Sequence, residues 1–289
     1  MTARTLGSTA FALTAFASNS LLCRLALGGE AIDPATFTSI RLASGAATLL
    51  LVRAAVTGRG AVTRRGDWVS GSMLFAYASA FSFAYISLSA GMGALILFGS
   101  VQATMTIAAL RSGARFLRLE AIGLLLAVAG LAYLVSPGIT APSPVGFILM
   151  TMAGVSWGIY SLRGRRVVDS LADTTTNFVL ALPLAAGVTL LALRNFHASP
   201  AGILLAILSG ALASGIGYVV WYAALKGLTA IQAASVQLSV PALAAMGGVL
   251  FLSEHVSTRL AVSGIAILGG VALVLAGRER GRPGARDTG

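Results

Sequence analysis

Charge is scarce in this chain: 10% of its 289 residues are Asp, Glu, Lys or Arg, 57% are hydrophobic, and the mean hydropathy is +0.88. At that composition a water-soluble fold has too few polar residues to coat its surface. Acids are rarer still. There are nine, all at the ends of apolar segments or in loops and tails, so the buried carboxylate relay that usually couples transport to protons is missing. One cysteine, Cys23, excludes an internal disulfide and reads as ordinary helix packing. The two histidines, His197 and His255, fall in separate loops and argue for no metal site. No G-x-x-x-x-G-K-[ST] phosphate loop is present, so ATP hydrolysis has no seat and no cofactor is implied. Paired catalytic acids, a Ser/His constellation and a metal cluster are all lacking at membrane depth, which argues against an enzyme.

What the chain has in abundance is apolar length. Stretches long enough to cross a hydrocarbon core of ~30 Å recur, at 5–27, 35–57, 67–87, 91–111, 119–136, 145–163, 174–193, 201–224, 229–252 and 258–277. They are too long for barrel strands, so they read as ten transmembrane helices, an all-α integral membrane protein. The net charge of +11 is spread over loops rather than gathered on one face, and gives no reason to expect nucleic acid as a partner. It reports topology instead. With the N-terminus inside, 16 of the 20 basic residues face the cytoplasm, and only Arg24, Arg41, Arg194 and Arg259 lie outside. The positive-inside rule therefore puts both termini in the cytoplasm. Segment one, despite Arg4 and the "SLLC" ending at Cys23, reads as a helix rather than a signal peptide: Leu22 suits a lipidation site poorly, and cleavage would spoil the even helix count.

Sliding the chain on itself by 139 residues overlays segments one to five on six to ten: Arg24 meets Arg163, Thr36 meets Thr175, and "SG" at 70–71 meets "SG" at 209–210. Five is odd, so the second copy enters the membrane from the opposite face. Such inverted repeats suit alternating access around a central cavity. The units expected are 1–139, 140–278 and a basic cytoplasmic tail, 279–289.

Polar residues in a bilayer normally face protein or water. Segments one, three, four, six, eight and nine carry them, and are expected to surround a polar path. Asn19, Tyr77, Phe98, Gln102, Trp157, Tyr160, Tyr218, Trp221 and Gln237 are the cavity candidates, with Ser100 and Thr104 on the same stripe. Aromatic faces supply contact area and amides orient polar ends, which suits a zwitterion with an apolar side chain. In "SVQLSVPALAAM", 235–246, Pro241 breaks the helix beside Gln237 and Ser239, and is expected to act as a hinge or a fixed kink. Arg24 and Arg41 are candidate anchors for a carboxylate, but both stand near outer helix ends, where snorkelling or structural pairing is favoured. Segments five and ten hold almost only small and aliphatic residues. Gly123, Gly130, Gly264 and Gly269 there allow close backbone approach, so the two read as packing or dimer helices that would serve a homo-oligomer.

The run from Gly217 to Gly277 resembles the last three helices of the EamA repeat in the drug/metabolite transporter (DMT) superfamily. Trp221, Tyr222, Ala224, Leu225, Pro241, Leu252, Glu254, Gly264, Gly269 and Gly270 carry the resemblance. The first copy departs from the pattern, with Gln102 at the proline position and Arg115 at the position of Glu254. The resemblance implies a ten-helix secondary carrier of small metabolites in a bacterial inner membrane, in contact with lipid. Within the superfamily the chain is similar to aromatic amino acid exporters of the YddG type. The absence of membrane acids then favours a facilitator or exchanger. A multidrug carrier would want a buried acid, and a nucleotide-sugar carrier would want several basic residues in its cavity. A sensor or structural partner without flux is the reading from another class, though the loops are short and there is no soluble domain.

Overall fold

The computed structural model describes residues 3–57, 67–111, 118–136, 138, 141–164, 167–225, 227–228, 236–237 and 239–280. Nearly all of them are helical: α1 (Ala3–Gly28), α2 (Pro34–Thr57), α3 (Trp68–Ala84), α4 (Ala90–Arg111), α5 (Arg118–Val135), α6 (Pro144–Gly164), α7 (Ser170–Leu191), α8 (Pro200–Leu208), a π-helical stretch (Ser209–Ile216), α9 (Gly217–Leu225), α10 (Ser239–Leu252) and α11 (Thr258–Arg280). Among these residues extended pairing is limited to the bridge between Ile32 and Ala198. Six stretches, Thr5–Gly28, Pro34–Thr57, Ala90–Ala108, Pro144–Gly164, Ser170–Leu191 and Pro200–Trp221, are long and apolar enough to cross a membrane.

The helix starts are written in the local chemistry. Three of them open on a cap followed by proline: Asp33-Pro34, Ser143-Pro144 and Ser199-Pro200. The side chains of Asp33, Ser143 and Ser199 accept hydrogen bonds from the backbone N–H of Thr36, Gly146 and Gly202, at 2.9, 3.1 and 3.1 Å. Proline in the first turn forgoes an N–H that has no partner there anyway. Asp67 caps α3 and Asp169 caps α7 in the same way.

The outside of the bundle is greasy. Leu51, Leu125, Phe251 and Ile265 are 71%, 70%, 77% and 76% exposed, which water would penalise and lipid does not. Inside, α1 packs on α9 and α10, α3 on α6 and α7, α4 on α6 and α10, α2 on α7 and the π stretch, and α5 on α11. The α5–α11 contact corrects part of the glycine reading. A methyl group added at Gly130 would lie 2.8 Å from Ala266 Cβ, and one at Gly123 would strike the Gly270 carbonyl. Gly269, by contrast, has nothing within 4 Å, and Gly264 only a Leu95 methyl at 4.0 Å. Gly123, Gly130 and Gly270 therefore join α5 to α11 within one chain, whereas Gly264 and Gly269 make no close approach. Small-residue spacing marked the right helices, but one residue's shift on a helix turns a face by about 100°.

Gly123→Ala is accordingly expected to lower the unfolding temperature in detergent, by an overpacking cost of roughly 1–3 kcal/mol, because the atoms it meets are backbone. Gly269→Ala should leave it unchanged. Paired melting curves check both.

Candidate functional site: an aromatic and amide cavity

Helices α1, α3, α4, α6 and α9 converge on a small enclosed cavity of about 20 Å³, walled by Phe16, Asn19, Tyr77, Leu97, Phe98, Trp157 and Tyr218. That is room for about one water. Its aromatic lining is continuous. The ring of Trp157 lies 4.9 Å from Tyr77 and 4.9 Å from Tyr218, with Tyr160 stacked behind it at 5.6 Å. Phe16 meets Trp157, Tyr218 and Trp221 edge-on at 6.4, 5.9 and 5.7 Å.

A polar network backs this wall. Ser209 donates to Asn19 Oδ1 at 2.6 Å, and Asn19 Nδ2 donates to the Tyr77 hydroxyl at 3.4 Å. Arg41 Nη2 donates to the same hydroxyl at 3.1 Å, and its Nε to the Ser214 hydroxyl at 3.3 Å. The Arg41 guanidinium also lies over the rings of Tyr77 and Phe81, 5.2 and 5.0 Å from their centroids. This corrects the expectation of snorkelling, since Arg41 is 1% exposed and enclosed by the bundle. The π stretch explains how two serines of one helix serve this network. Five residues of α-helix would turn Ser214 about 140° away from Ser209, whereas i→i+5 bonding brings residues five apart nearly into line. Gly210 permits the close contact with α2, for a methyl group there would strike the Arg41 carbonyl and the Ser44 hydroxyl.

Other candidates lie elsewhere. Gln102 lines a separate crevice of about 70 Å³ with Ala103, Leu124, Ala127 and Ile267, between α4, α5 and α11. Ser100 and Thr104 bond the carbonyls of their own helix, at Ile96 and Ser100, and the carbon atoms of their side chains pack against Gly154 and Gly158 of α6. Their stripe is a helix contact rather than a path, because a hydroxyl satisfied by its own backbone can be buried against a glycine at little cost. Gln237 is half-buried and lies outside the set of cavity-lining residues. Pro241 is buried in the first turn of α10, and Leu238 and residues 229–235, Ser235 among them, lie outside the described residues. The side chain of Tyr222 does so too. Of the polar residues expected on α1, Ser18 turns instead to a wider apolar groove of about 650 Å³, lined also by Phe11, Leu25, Leu212 and Phe251. The serine- and glycine-rich "SGALASGIG", 209–217, was the available signal for the π stretch.

Both ends of the bundle are pinned by an arginine. Arg24 on α1 pairs with Glu254 at 3.3 Å and donates to the carbonyls of Tyr85 and Ile86 at 3.1 and 3.0 Å. Glu254 also accepts from the Ala90 N–H at 2.9 Å, at the N-terminus of α4, where the helix dipole favours an anion. Ser253 in a left-handed conformation, φ 53°, turns the chain so that the carboxylate reaches this position. Arg24 is thus occupied by structural pairing and is not a free anchor. At the other end, Arg163 on α6 donates to Asp67 at 2.8 Å and to the Ser70 hydroxyl at 3.0 Å. Partial burial alone would raise the Asp67 pKa, but the hydrogen bonds from Arg163 and Ser70, with the guanidinium charge, outweigh it and hold the group below the ordinary carboxylate value. Among the described residues no cluster of His, Cys, Asp or Glu suits a metal.

The EamA-like transporter family model matches residues 144–276. The uncharacterized protein PA1977 of Pseudomonas aeruginosa is 50% identical over 275 residues, covering 95% of this chain and 96% of that one. A solved structure described only as "Crystal structure of protein" superposes with a TM-score of 0.66 at 21% identity, covering 95% of this chain and 99% of the other. That last likeness speaks for the fold alone.

Glu254→Ala leaves Arg24 half-buried without a counter-charge and the Ala90 N–H without an acceptor. A loss of about 1–3 kcal/mol is expected, read as a lower unfolding temperature, with Glu254→Gln falling between.

Proposed function

The chain belongs to the EamA-like transporter family of the DMT superfamily, and from that premise we propose that it is a secondary carrier exporting small metabolites, first among them amino acids with apolar side chains. Its ten helices would form two inverted five-helix repeats in a bacterial inner membrane, with both termini cytoplasmic. The observation that carries this reading is the cavity itself, five aromatic rings and one amide where the central helices meet. Rings accept an apolar side chain of varied shape, and an amide orients polar ends without a fixed charge. A carrier of cationic drugs would need a buried acid at this wall, and none lines it. The resemblance to exporters of the YddG type points the same way.

Alternating access gives the two pinned ends a role. The arginines at 24 and 163 are equivalent under the 139-residue repeat, and each ties one end of the bundle. In the proposed cycle one pair parts while the other holds, so the cavity opens to one side at a time. With both pairs intact the cavity has room for about one water. Among the described residues the cavity wall contains no carboxylic acid, and in this reading flux follows the substrate's own gradient or exchanges one substrate for another.

Counterflow in proteoliposomes tests this. Purified protein loaded with unlabelled amino acids should take up labelled phenylalanine or leucine. Trp157→Ala should cut the rate by about tenfold or more, as the loss of a buried aromatic contact does, while Gln102→Ala should leave it near wild type. Accumulation driven by an imposed pH gradient alone would overturn the facilitator mechanism, and absence of exchange for amino acids, sugars and dyes alike would overturn the carrier.

A further inference from the structure

We propose that Arg41 is the substrate-recognition residue: it binds the carboxylate of the transported molecule, so the chain selects solutes bearing a single negative oxyanion and rejects their neutral or cationic analogues. The proposal rests on the carrier reading above and deepens it to a substrate class.

The guanidinium is 1% exposed, yet only two of its three nitrogens are hydrogen-bonded, Nε to Ser214 and Nη2 to Tyr77. Nη1, with two N–H groups, is buried without a partner. Glu254 pairs with Arg24 and Asp67 with Arg163, so neither of these acids serves Arg41. Its neighbours are neutral: the rings of Tyr77 and Phe81, and hydroxyls. A buried charge with no counter-charge is strongly unfavourable, and proteins keep such groups where a ligand completes them. The place is right as well. Tyr77 hydrogen-bonds Arg41 and also walls the cavity, beside Asn19.

The charge balance fixes the class. One carboxylate neutralises one guanidinium and can accept from Nη1 in a charge-assisted bond. A phosphate dianion would leave a net negative charge among Phe16, Phe98 and Trp157, and an amine would add to the positive charge already there. The aromatic wall then takes the apolar part, as in an aryl carboxylate, which leaves the site neutral, or in an amino acid, whose own ammonium then remains the one uncompensated charge.

The test uses the full-length protein and its Arg41→Gln and Arg41→Lys variants. Binding is read by quenching of tryptophan fluorescence and transport by counterflow, with phenylalanine, phenylalanine amide and phenethylamine as probes. Wild type is expected to bind phenylalanine about tenfold or more tightly than the amide or amine. Arg41→Gln should lose that preference and keep or raise the unfolding temperature without ligand, since an unpaired buried charge is removed; Arg41→Lys should retain part of the preference. Equal wild-type binding of acid and amide, or a preference that survives in Arg41→Gln, overturns the proposal, and should Arg41→Gln not fold, the wild-type preference decides. Binding of the acid without exchange would remove the carrier reading and keep this one. Exchange of acid and amide at equal rates would do the reverse.

Discussion

Lipid offers no hydrogen bonds, so every polar group in the bundle must find its partner within the protein. Most do so locally. Ser82, Ser100 and Thr104 each turn back on a carbonyl of their own helix, and become small, nearly apolar surfaces that a neighbouring helix can cover. Asn19, Tyr77 and Arg41 cannot do this, because an amide, a phenol and a guanidinium reach beyond their own turn. Their hydrogen bonds run to one another and to the two serines of the π stretch, and Arg41 Nη1 is left without a partner. The irregular helix thus follows from the polar demand at the centre. A regular α-helix from 200 to 225 would satisfy one of the two and strand the other.

The ends obey the same rule with a different solution. Arg24 and Arg163 stand where water is near, and each has a carboxylate within 3.3 Å. Gly248 makes the outer arrangement possible, since a methyl group there would collide with the Glu254 carboxylate. Charge is held by countercharge at both ends and by neutral groups at the centre.

The helices were legible in the sequence because length and apolarity are local properties, and each expected segment contains one. Part of the candidate cavity was legible too, since Asn19, Tyr77, Phe98, Trp157 and Tyr218, all expected on polar-bearing segments, line one cavity. What failed was the choice of neighbour. Gln102 carries the same amide as Asn19 but faces the α5–α11 pair, and Ser100 faces a glycine of α6. Periodicity gives a residue its face; only the packed bundle says what that face meets. The π stretch escaped because the Ser and Gly of "SGALASGIG", its one compositional signal, equally suit close packing in a regular helix, and its effect is a change of phase.

Arg41 is the most instructive case, because the candidate anchor expected to snorkel is instead enclosed by the bundle. It stands seven residues beyond Pro34, about 10 Å along α2 at 1.5 Å per residue, a depth from which an arginine on an isolated helix reaches the headgroups. Here α3 and the π stretch close over it first. Arg24, four residues from the end of α1, meets Glu254. The difference lies in the counterion: Arg24 has one, and Arg41 is buried among neutral groups alone.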